Sequence, residues 1–397
     1  MVYGASVLPA GWRALVLIGV VVMAGCSSTE PREQPVPVPE AEGDYQLKLN
    51  WSQSFAGGQR GQHLFLTPAV RDNKVYAATR SGLVGAYDAR NGRDLWWTRV
   101  DASLIGGVGA DSEQLYVVTR DGILQALSRE GELLWQAQLP NESLVPPQSN
   151  GRQVIVQTID GQLIAFSQGG GEREWLYDSN MPLLSFRGNA TPWVNSSSVV
   201  AGFDNGRVVS LDVANGRVQW QQALGTSAGR TELEQVVDVD ASPVVRAGVV
   251  YATGFKGKLA ALRQSSGEEI WSRSVSSLRA PAVDDGRIVV AAADGAMIGY
   301  DLESRREMWR HEKLLWRRLS APVALKGHVL VGDFEGYLYA IDPENGTIDG
   351  LTHVDDDGLR SEMVRFRDQI ILFSNGGLLA SYGIEERESN SWFLSLL

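Results

Sequence analysis

The sequence is poor in the residues that build disulfides, metal centres and basic binding faces. It has one cysteine in 397 residues, so no disulfide can form within the chain. Its four histidines are isolated and lack the close spacing of zinc ligands: His63, His311, His328 and His353. Lys and Arg number 36 against 47 Asp and Glu, and the net charge of −11 argues against a general nucleic-acid binder. We therefore predict no metal and no nucleic-acid partner.

Motifs that carry enzyme chemistry are also missing. The sequence contains no Gly-x-Ser-x-Gly elbow and no phosphate-binding loop. The acidic run Asp355-Asp-Asp-Gly358 lacks the twelve-residue pattern of a calcium loop and is interpreted as a solvated turn. The sequence therefore predicts no catalytic residue and no bound cofactor.

The N-terminus has the pattern of an exported lipoprotein. Arg13 precedes an apolar run, Ala14 to Met23, which is too short to span a bilayer comfortably. The run leads into Met23-Ala-Gly-Cys26, which resembles a bacterial lipobox, in which the cysteine is acylated and becomes the first mature residue. We expect residues 1–25 to be a signal peptide and Cys26 to carry the lipid. An ordinary signal peptide with an incidental cysteine is the alternative.

The residues after the cysteine indicate where the protein is held. In bacterial lipoproteins an Asp at the next position resembles an inner-membrane retention signal, so Ser27 implies the outer membrane. Residues 26–44 comprise the lipidated cysteine and a polar, proline-rich segment, which predicts an extended tether that cannot bury a core.

A repeat dominates the rest of the chain. Glycines recur at positions 82, 122, 161, 206, 257, 295, 336 and 376, with spacings of 40, 39, 45, 51, 38, 41 and 40 residues. Each lies between two short runs of β-branched or aromatic residues. A strand-rich period of this length is typical of a propeller blade. The sequence predicts an all-β fold over residues 45–384, an eight-bladed β-propeller with four-stranded antiparallel blades.

A recurring tryptophan marks the outermost strand of six repeats: Trp96, Trp135, Trp175, Trp220, Trp271 and Trp309. We expect these side chains to wedge between neighbouring blades. The eighth repeat lacks an outer strand, and the N-terminal strand at residues 45–56, with Trp51, is predicted to supply it and close the ring. The alternative closure uses residues 389–397 with Trp392. In the first case residues 385–397 form a C-terminal extension.

The repeat is irregular in one region. The spacings of 45 and 51 place insertions in the connectors after the third and fourth blades, and repeat proteins use such insertions for binding. The first insertion has Leu184 and Phe186 beside Arg187, a composition typical of an interface hot spot. The second is acidic and contains Asp238 and Asp240. These residues either meet a partner, or Arg187 pairs internally with Asp238 or Asp240 and pins the loops.

Two family resemblances follow from these motifs. The repeat tail Tyr87-Asp-Ala-Arg-Asn-Gly-Arg-Asp-Leu-Trp96 resembles the blade motif of quinoprotein dehydrogenases, which implies a periplasmic PQQ-dependent dehydrogenase as an alternative function. Those enzymes are longer and use metal ligands and often a disulfide, and neither can be located here. The lipobox, tether, eight blades and two long loops together resemble the BamB family, the lipoprotein subunits of the outer-membrane β-barrel assembly (BAM) complex.

The second resemblance implies a non-enzymatic scaffold at the periplasmic face of the outer membrane, held by the lipid on Cys26. Such a scaffold binds the POTRA domains of BamA and aids the assembly and insertion of unfolded outer-membrane protein clients. The contact residues of that family correspond here to Leu184, Phe186, Arg187, Asp238 and Asp240. Phe186 stands where the family has Leu, which keeps the apolar character but changes the shape.

Overall fold

The structure is a computed structural model, and it describes residues 33–55, 66–179, 190–225 and 238–387. Over these residues the regular elements are β-strands, and they form eight four-stranded antiparallel sheets. No helix among the described residues is long and apolar enough to cross a membrane. The predicted fold class, an eight-bladed β-propeller, is confirmed.

The first strand, β1 (Tyr45–Ser54), belongs to the last blade, and the next sixteen build blades 1 to 4 in chain order. Blade 1 contains β2 (Ala69–Arg71), β3 (Lys74–Ala78), β4 (Leu83–Asp88) and β5 (Asp94–Arg99). Blade 2 contains β6 (Leu104–Ala110), β7 (Gln114–Thr119), β8 (Ile123–Ser128) and β9 (Leu133–Gln138). Blade 3 contains β10 (Gln148–Ser149), β11 (Gln153–Gln157), β12 (Gln162–Ser167) and β13 (Arg173–Asp178). Blade 4 contains β14 (Trp193–Val194), β15 (Ser198–Phe203), β16 (Arg207–Asp212) and β17 (Val218–Ala223).

Blades 5 to 8 follow the same order from the inner to the outer strand. Blade 5 contains β18 (Val244–Arg246), β19 (Val249–Thr253), β20 (Lys258–Arg263) and β21 (Glu269–Ser274). Blade 6 contains β22 (Ala282–Asp284), β23 (Arg287–Ala291), β24 (Met297–Asp301) and β25 (Glu307–His311). Blade 7 contains β26 (Val323–Leu325), β27 (His328–Gly332), β28 (Tyr337–Ile341) and β29 (Ile348–His353). Blade 8 contains β30 (Val364–Phe366), β31 (Gln369–Phe373), β32 (Leu378–Glu386) and, as its outer strand, β1.

The ring is closed by the N-terminal strand. Strand β1 pairs antiparallel with β32, from Tyr45 opposite Glu386 to Ser54 opposite Leu378. This pairing joins an N-terminal strand and a C-terminal strand in one sheet, and it covers the outer edge of β32, the third strand of blade 8. The rival closure through Trp392 lies outside the described residues. Strand β32 ends two residues beyond the predicted propeller boundary at residue 384.

The second strand of each blade shows why the sequence has apolar runs rather than strict alternation. All six residues of β7 are buried, because neighbouring blades cover both faces of the sheet. The outer strands instead mix exposed and buried positions, as β5 does. The core is therefore divided into clusters between neighbouring blades, such as the one that joins Trp51 and Phe55 of blade 8 to Val75 of blade 1.

The tryptophans of the outer strands bind the next blade around the ring. Their indole N–H groups donate to backbone carbonyls at 2.7–3.1 Å: Trp51 to Ala89, Trp96 to Arg129, Trp135 to Gln168, Trp175 to Val213, Trp220 to Gln264 and Trp309 to Pro343. Each ring lies on a turn glycine. At Gly92, φ is 70° and an added Cβ would lie 2.5 Å from the Trp51 ring, so both the backbone and the contact require glycine. We call this contact, in which an indole ring packs on a turn of the next blade and donates to its backbone, a tryptophan–turn junction. It explains the predicted wedge role.

Two faces of the ring can be distinguished. We define the connector face as the one that carries the turns between second and third strands together with the segments that join one blade to the next. Its members include the turn after Phe203, the segment at residues 238–243 and the segment at residues 312–322. The opposite face carries the turns between first and second strands.

Residues 35–44, which the sequence predicts to be part of the tether, lie against the ring. They belong to the same compact unit as the propeller. Val38 packs against the core cluster between blades 6 and 7. The physical reason is that a proline-rich segment, although too polar to form its own core, can still add one apolar side chain to an existing one.

The ring closure predicts a large effect of one tryptophan and a small effect of another. Trp51 is 7% exposed and Trp97, on the outer strand of blade 1, is 67% exposed. We expect Trp51→Ala to lower the free energy of unfolding by about 3–5 kcal/mol, since it removes a buried indole from the closing junction. Trp97→Ala should change it by about 0.5 kcal/mol or less. Urea titrations of both variants measure the difference, and equal losses would contradict this closure.

Candidate functional site

The structure describes only part of the predicted site. Leu184, Phe186 and Arg187 lie outside the described residues, as does Cys26. Asp238 and Asp240 are described, and they lie in the connector that leads into blade 5. The site is therefore built below from the acidic connector.

This connector is inserted between the turns of blades 4 and 5. The backbone N–H of Phe255 donates to the carbonyl of Asp238 at 2.7 Å, and the N–H of Val239 donates to the carbonyl of Phe203 at 3.2 Å. Gly202 leaves room for the connector, since an added Cβ there would lie 2.4 Å from the Val239 carbonyl oxygen. Backbone contacts on both sides thus hold residues 238–240 in place.

Three aspartates meet at this point. Carboxylate oxygens of Asp204, Asp238 and Asp240 all lie within 4.8 Å of one another, and we call these residues the aspartate cluster. Asp204 is 3% exposed and Asp238 is fully buried. Like charges at this separation repel strongly where water is excluded, so the cluster favours a proton or a cation.

The pKa of Asp240 reflects these surroundings. Burial, followed by the charges of Asp238 and Asp204, raises the pKa of Asp240 to about 9, while Arg279 acts in the opposite direction. A guanidinium group suits such carboxylates, and a hard cation with oxygen ligands has a compatible donor set. Within the described ranges, no other set of three or more His, Cys, Asp or Glu residues brings ligand atoms this close.

The aspartate cluster borders a polar network among segments that precede the inner strands of several blades. The Ser242 hydroxyl donates to Oε1 of Glu362 at 3.0 Å, which joins the inner end of blade 5 to that of blade 8. The N–H of Thr191, before blade 4, donates to the same hydroxyl at 3.0 Å. Arg279, before blade 6, donates through Nε to the Leu319 carbonyl at 2.9 Å. Burial raises the pKa of Glu362 and lowers that of Arg279.

Sequence reasoning located two members of the cluster and missed the third. Asp204 lies two residues before the turn glycine Gly206, and other aspartates lie one residue before theirs, at Asp121, Asp160 and Asp294. Nothing local distinguishes Asp204 from these ordinary turn residues. Its role arises only because the long connector before blade 5 folds back onto the turn of blade 4.

Comparison with known proteins gives a consistent result. A family model described as outer membrane protein assembly factor BamB matches residues 48–130, 80–281 and 256–370. The outer membrane protein assembly factor BamB of Marinobacter adhaerens is 40% identical over 371 residues, which cover 93% of this chain and 95% of that protein. The protein of the same name from Escherichia coli K12 is 32% identical over 379 residues, 92% of this chain and 97% of that protein.

Solved structures agree on the architecture. BamB from Moraxella catarrhalis superposes with a TM-score of 0.78 at 25% identity and covers 85% of this chain and 99% of its own. A quinohemoprotein alcohol dehydrogenase from Comamonas testosteroni superposes with a TM-score of 0.62 at 14% identity, covering 85% of this chain and 76% of its own. At that identity the second likeness concerns the fold alone.

The buried cluster predicts an unusual pH dependence of stability. Asp240 has its folded pKa raised to about 9 from an ordinary value of 3.8, so the folded chain keeps a proton that the unfolded chain releases. Its contribution to stability therefore falls as pH rises from about 4 to about 9, by at most about 1.4 kcal/mol per pH unit. We expect Asp240→Asn to be more stable than the unmodified protein at pH 8, with a smaller difference at pH 5.

Urea titrations at the two pH values measure this effect. Asp121→Asn, which changes an exposed aspartate in a turn of blade 2 on the same face, is the matched control. A loss of stability in Asp240→Asn that does not depend on pH would contradict the prediction.

Proposed function

We propose a binding role for this chain, which belongs to the BamB family of outer membrane protein assembly factors. In this proposal the connector face at blades 4 and 5 binds the POTRA domains of BamA. Membership in the family makes the chain an accessory factor of outer-membrane protein assembly in the BAM complex. The partner domain, the contact residues and the lipid anchor are the finer parts of the proposal.

The aspartate cluster carries this proposal. Asp238 is fully buried, so its carboxylate is placed to position the neighbouring connector rather than to touch a partner directly. Arg187 lies in the preceding long connector, and its guanidinium is a second cation, beside Arg279, that the sequence offers to these carboxylates. We propose that this internal pairing holds Leu184 and Phe186 at the surface, where they form the apolar contact with BamA. The two interpretations of the loops are then parts of one mechanism.

A non-enzymatic scaffold is the role that fits these residues. Residues 238–242 are held by backbone contacts to blades 4 and 5 and by the hydrogen bond from Ser242 to Glu362, which fix their position as a binding surface requires. The likeness to quinohemoprotein dehydrogenases extends to the fold alone. We expect the purified protein, incubated with pyrroloquinoline quinone, an alcohol and a redox dye, to show no turnover.

The remaining parts of the proposal concern location and clients. We propose that Cys26 is acylated after removal of residues 1–25 and that the lipid holds the protein at the periplasmic face of the outer membrane. Unfolded outer-membrane proteins are then the clients whose assembly and insertion it aids. The family name of the relatives supports an outer-membrane role, and the lipobox pattern supports the anchor.

The binding site is tested by capture of BamA. We expect Arg187→Ala and Leu184→Ala each to weaken binding to purified POTRA domains by at least about tenfold, since hot-spot truncations cost more than 1 kcal/mol. Arg120→Ala, an exposed arginine on the connector face of blade 2, should leave binding unchanged. Surface plasmon resonance measures the affinities, and unchanged melting temperatures show that the ring stays folded.

A double variant separates positioning from direct contact. If Arg187 acts through the aspartate cluster, Arg187→Ala combined with Asp238→Ala should bind about as weakly as either single variant. Arg187→Ala should also steepen the pH dependence of stability, because a guanidinium opposes the rise in the pKa of Asp240. If the affinity losses of the two single variants add fully in the double variant, Arg187 contacts the partner directly. If both single variants bind as tightly as the unmodified protein, the site is overturned.

A further inference from the structure

Arg317 has no part in the site described above, yet it is the largest fully buried side chain of the described residues, at 1% exposure. Its Nε donates to Oδ2 of Asp333 at 2.7 Å and to the hydroxyl of Tyr339 at 3.0 Å. Glu335 pairs with the far side of the guanidinium. A buried charge is costly unless it is paired, so this arrangement indicates a built site rather than a chance burial.

The guanidinium also holds a distant part of the backbone. Nη1 of Arg317 donates to the carbonyl oxygen of Val36 at 2.8 Å, and the N–H of Val36 donates to the carbonyl of Leu315 at 3.2 Å. Residues 35–44, which we call the N-terminal strap, are thus held at their start on the connector face between blades 6 and 7. The interaction joins positions 281 residues apart in the chain.

Further contacts follow the N-terminal strap away from this point. Val38 packs against the core cluster between blades 6 and 7, as Trp309 and Leu351 also do. Glu42 donates its N–H to the carbonyl of Ile348 at 2.8 Å, and its carboxylate pairs with Lys313 at 2.6 Å. The strap therefore follows the outer strands of blades 6 and 7 until it enters β1.

The segment that supplies Arg317 adopts a strained backbone. Trp316 and Arg318, on either side, have φ values of 61° and 48°, in the left-handed region that disfavours residues other than glycine. Such conformations persist where the surroundings over-determine them, and they are frequent at sites that clamp a ligand. Here the clamped group is the backbone of the N-terminal strap.

We propose that the N-terminal strap fixes where the lipid tether leaves the ring, and that the connector face over blades 6 and 7 is consequently the part of the propeller that lies against the lipid bilayer. This inference rests on the lipid anchor at Cys26 in the proposed function. The chain from Cys26 to Pro35 can span at most about 30 Å when fully extended, against about 60 Å for the chain from Cys26 to residue 44. The partner site at blades 4 and 5 then lies on the same face, two blades around the ring from the anchor.

Cysteine labelling tests the strap. The chain has one cysteine, so a Cys26→Ser form accepts a single reporter thiol. We compare Val38→Cys, at a partly buried position, with Glu40→Cys, at an exposed one. Maleimide should react roughly tenfold more slowly at position 38 than at position 40. Arg317→Met should remove most of that difference while the ring remains folded, as judged by its melting temperature.

A variant on the strap itself covers the case in which Arg317→Met fails to fold. Val36→Pro deletes the N–H that donates to Leu315 and leaves the ring unchanged, so labelling at position 38 should accelerate by about fivefold. Equal labelling rates at positions 38 and 40 in the otherwise unmodified ring would overturn the strap. So would rates at position 38 that neither variant changes.

Energy transfer to the membrane tests the orientation. The full lipidated chain is bound to phospholipid vesicles that contain an acceptor lipid, with a donor dye on Asp356→Cys or on Glu344→Cys. Both positions are exposed on blade 7, the first on the connector face and the second on the opposite face. We expect the efficiency of energy transfer to be at least about twofold higher from a dye at position 356 than from one at position 344. Arg317→Met should reduce this difference between the two positions.

The outcomes separate this inference from the function on which it rests. Equal transfer from a chain whose lipid is confirmed by mass spectrometry would overturn the orientation and leave the anchor intact. A chain that carries no lipid and does not sediment with vesicles would overturn both. The affinity for POTRA domains is measured independently and decides the partner site.

Discussion

The contact of each outer-strand tryptophan with the next blade is the interaction on which the whole ring depends. A single four-stranded blade cannot bury both of its faces, so it needs a neighbour on each side. The indole supplies apolar area and an N–H donor together, and the turn beneath it must leave room for the ring. Blade 6 has Arg305 in the turn position that is glycine in blades 1 to 5 and 7, and its φ of 60° keeps the left-handed backbone that this turn requires. The junction therefore constrains both partners at once.

The same constraint explains why the ring needs its N-terminal residues. Blade 7 has Gly350 where the other outer strands have tryptophan, so the last junctions cannot be made by the repeat itself. Tyr45 lies at this place, with its ring 4.3 Å from that of His328 and its carbonyl oxygen close to Gly350. The strand that follows brings Trp51 to blade 1. The N-terminal residues thus supply an aromatic side chain where blade 7 lacks its tryptophan and the outer strand that blade 8 lacks.

The fold could be predicted from the sequence because its determinants are local. Turn glycines, apolar runs and tryptophans recur within each repeat, and they report the blade count without knowledge of contacts between blades. The site could be predicted only in part. The spacing located Asp238 and Asp240, but their burial, the contribution of Asp204 and the clamp at Arg317 depend on which turns a connector reaches. Those contacts join different blades, so a sequence repeat of about 40 residues does not predict them.

Two buried ionic groups on the connector face illustrate how charge can serve opposite purposes in one scaffold. Around Arg317, one cation meets the carboxylates of Asp333 and Glu335 and a backbone carbonyl, so the group is compensated within the ring and its strap. The aspartate cluster instead brings like charges together, and burial raises the pKa of Asp240. The first arrangement fixes a segment, because the guanidinium charge is matched by the carboxylates and the backbone carbonyl that it contacts. The second depends on the cation that faces it, so it couples the long connectors to whatever they bind.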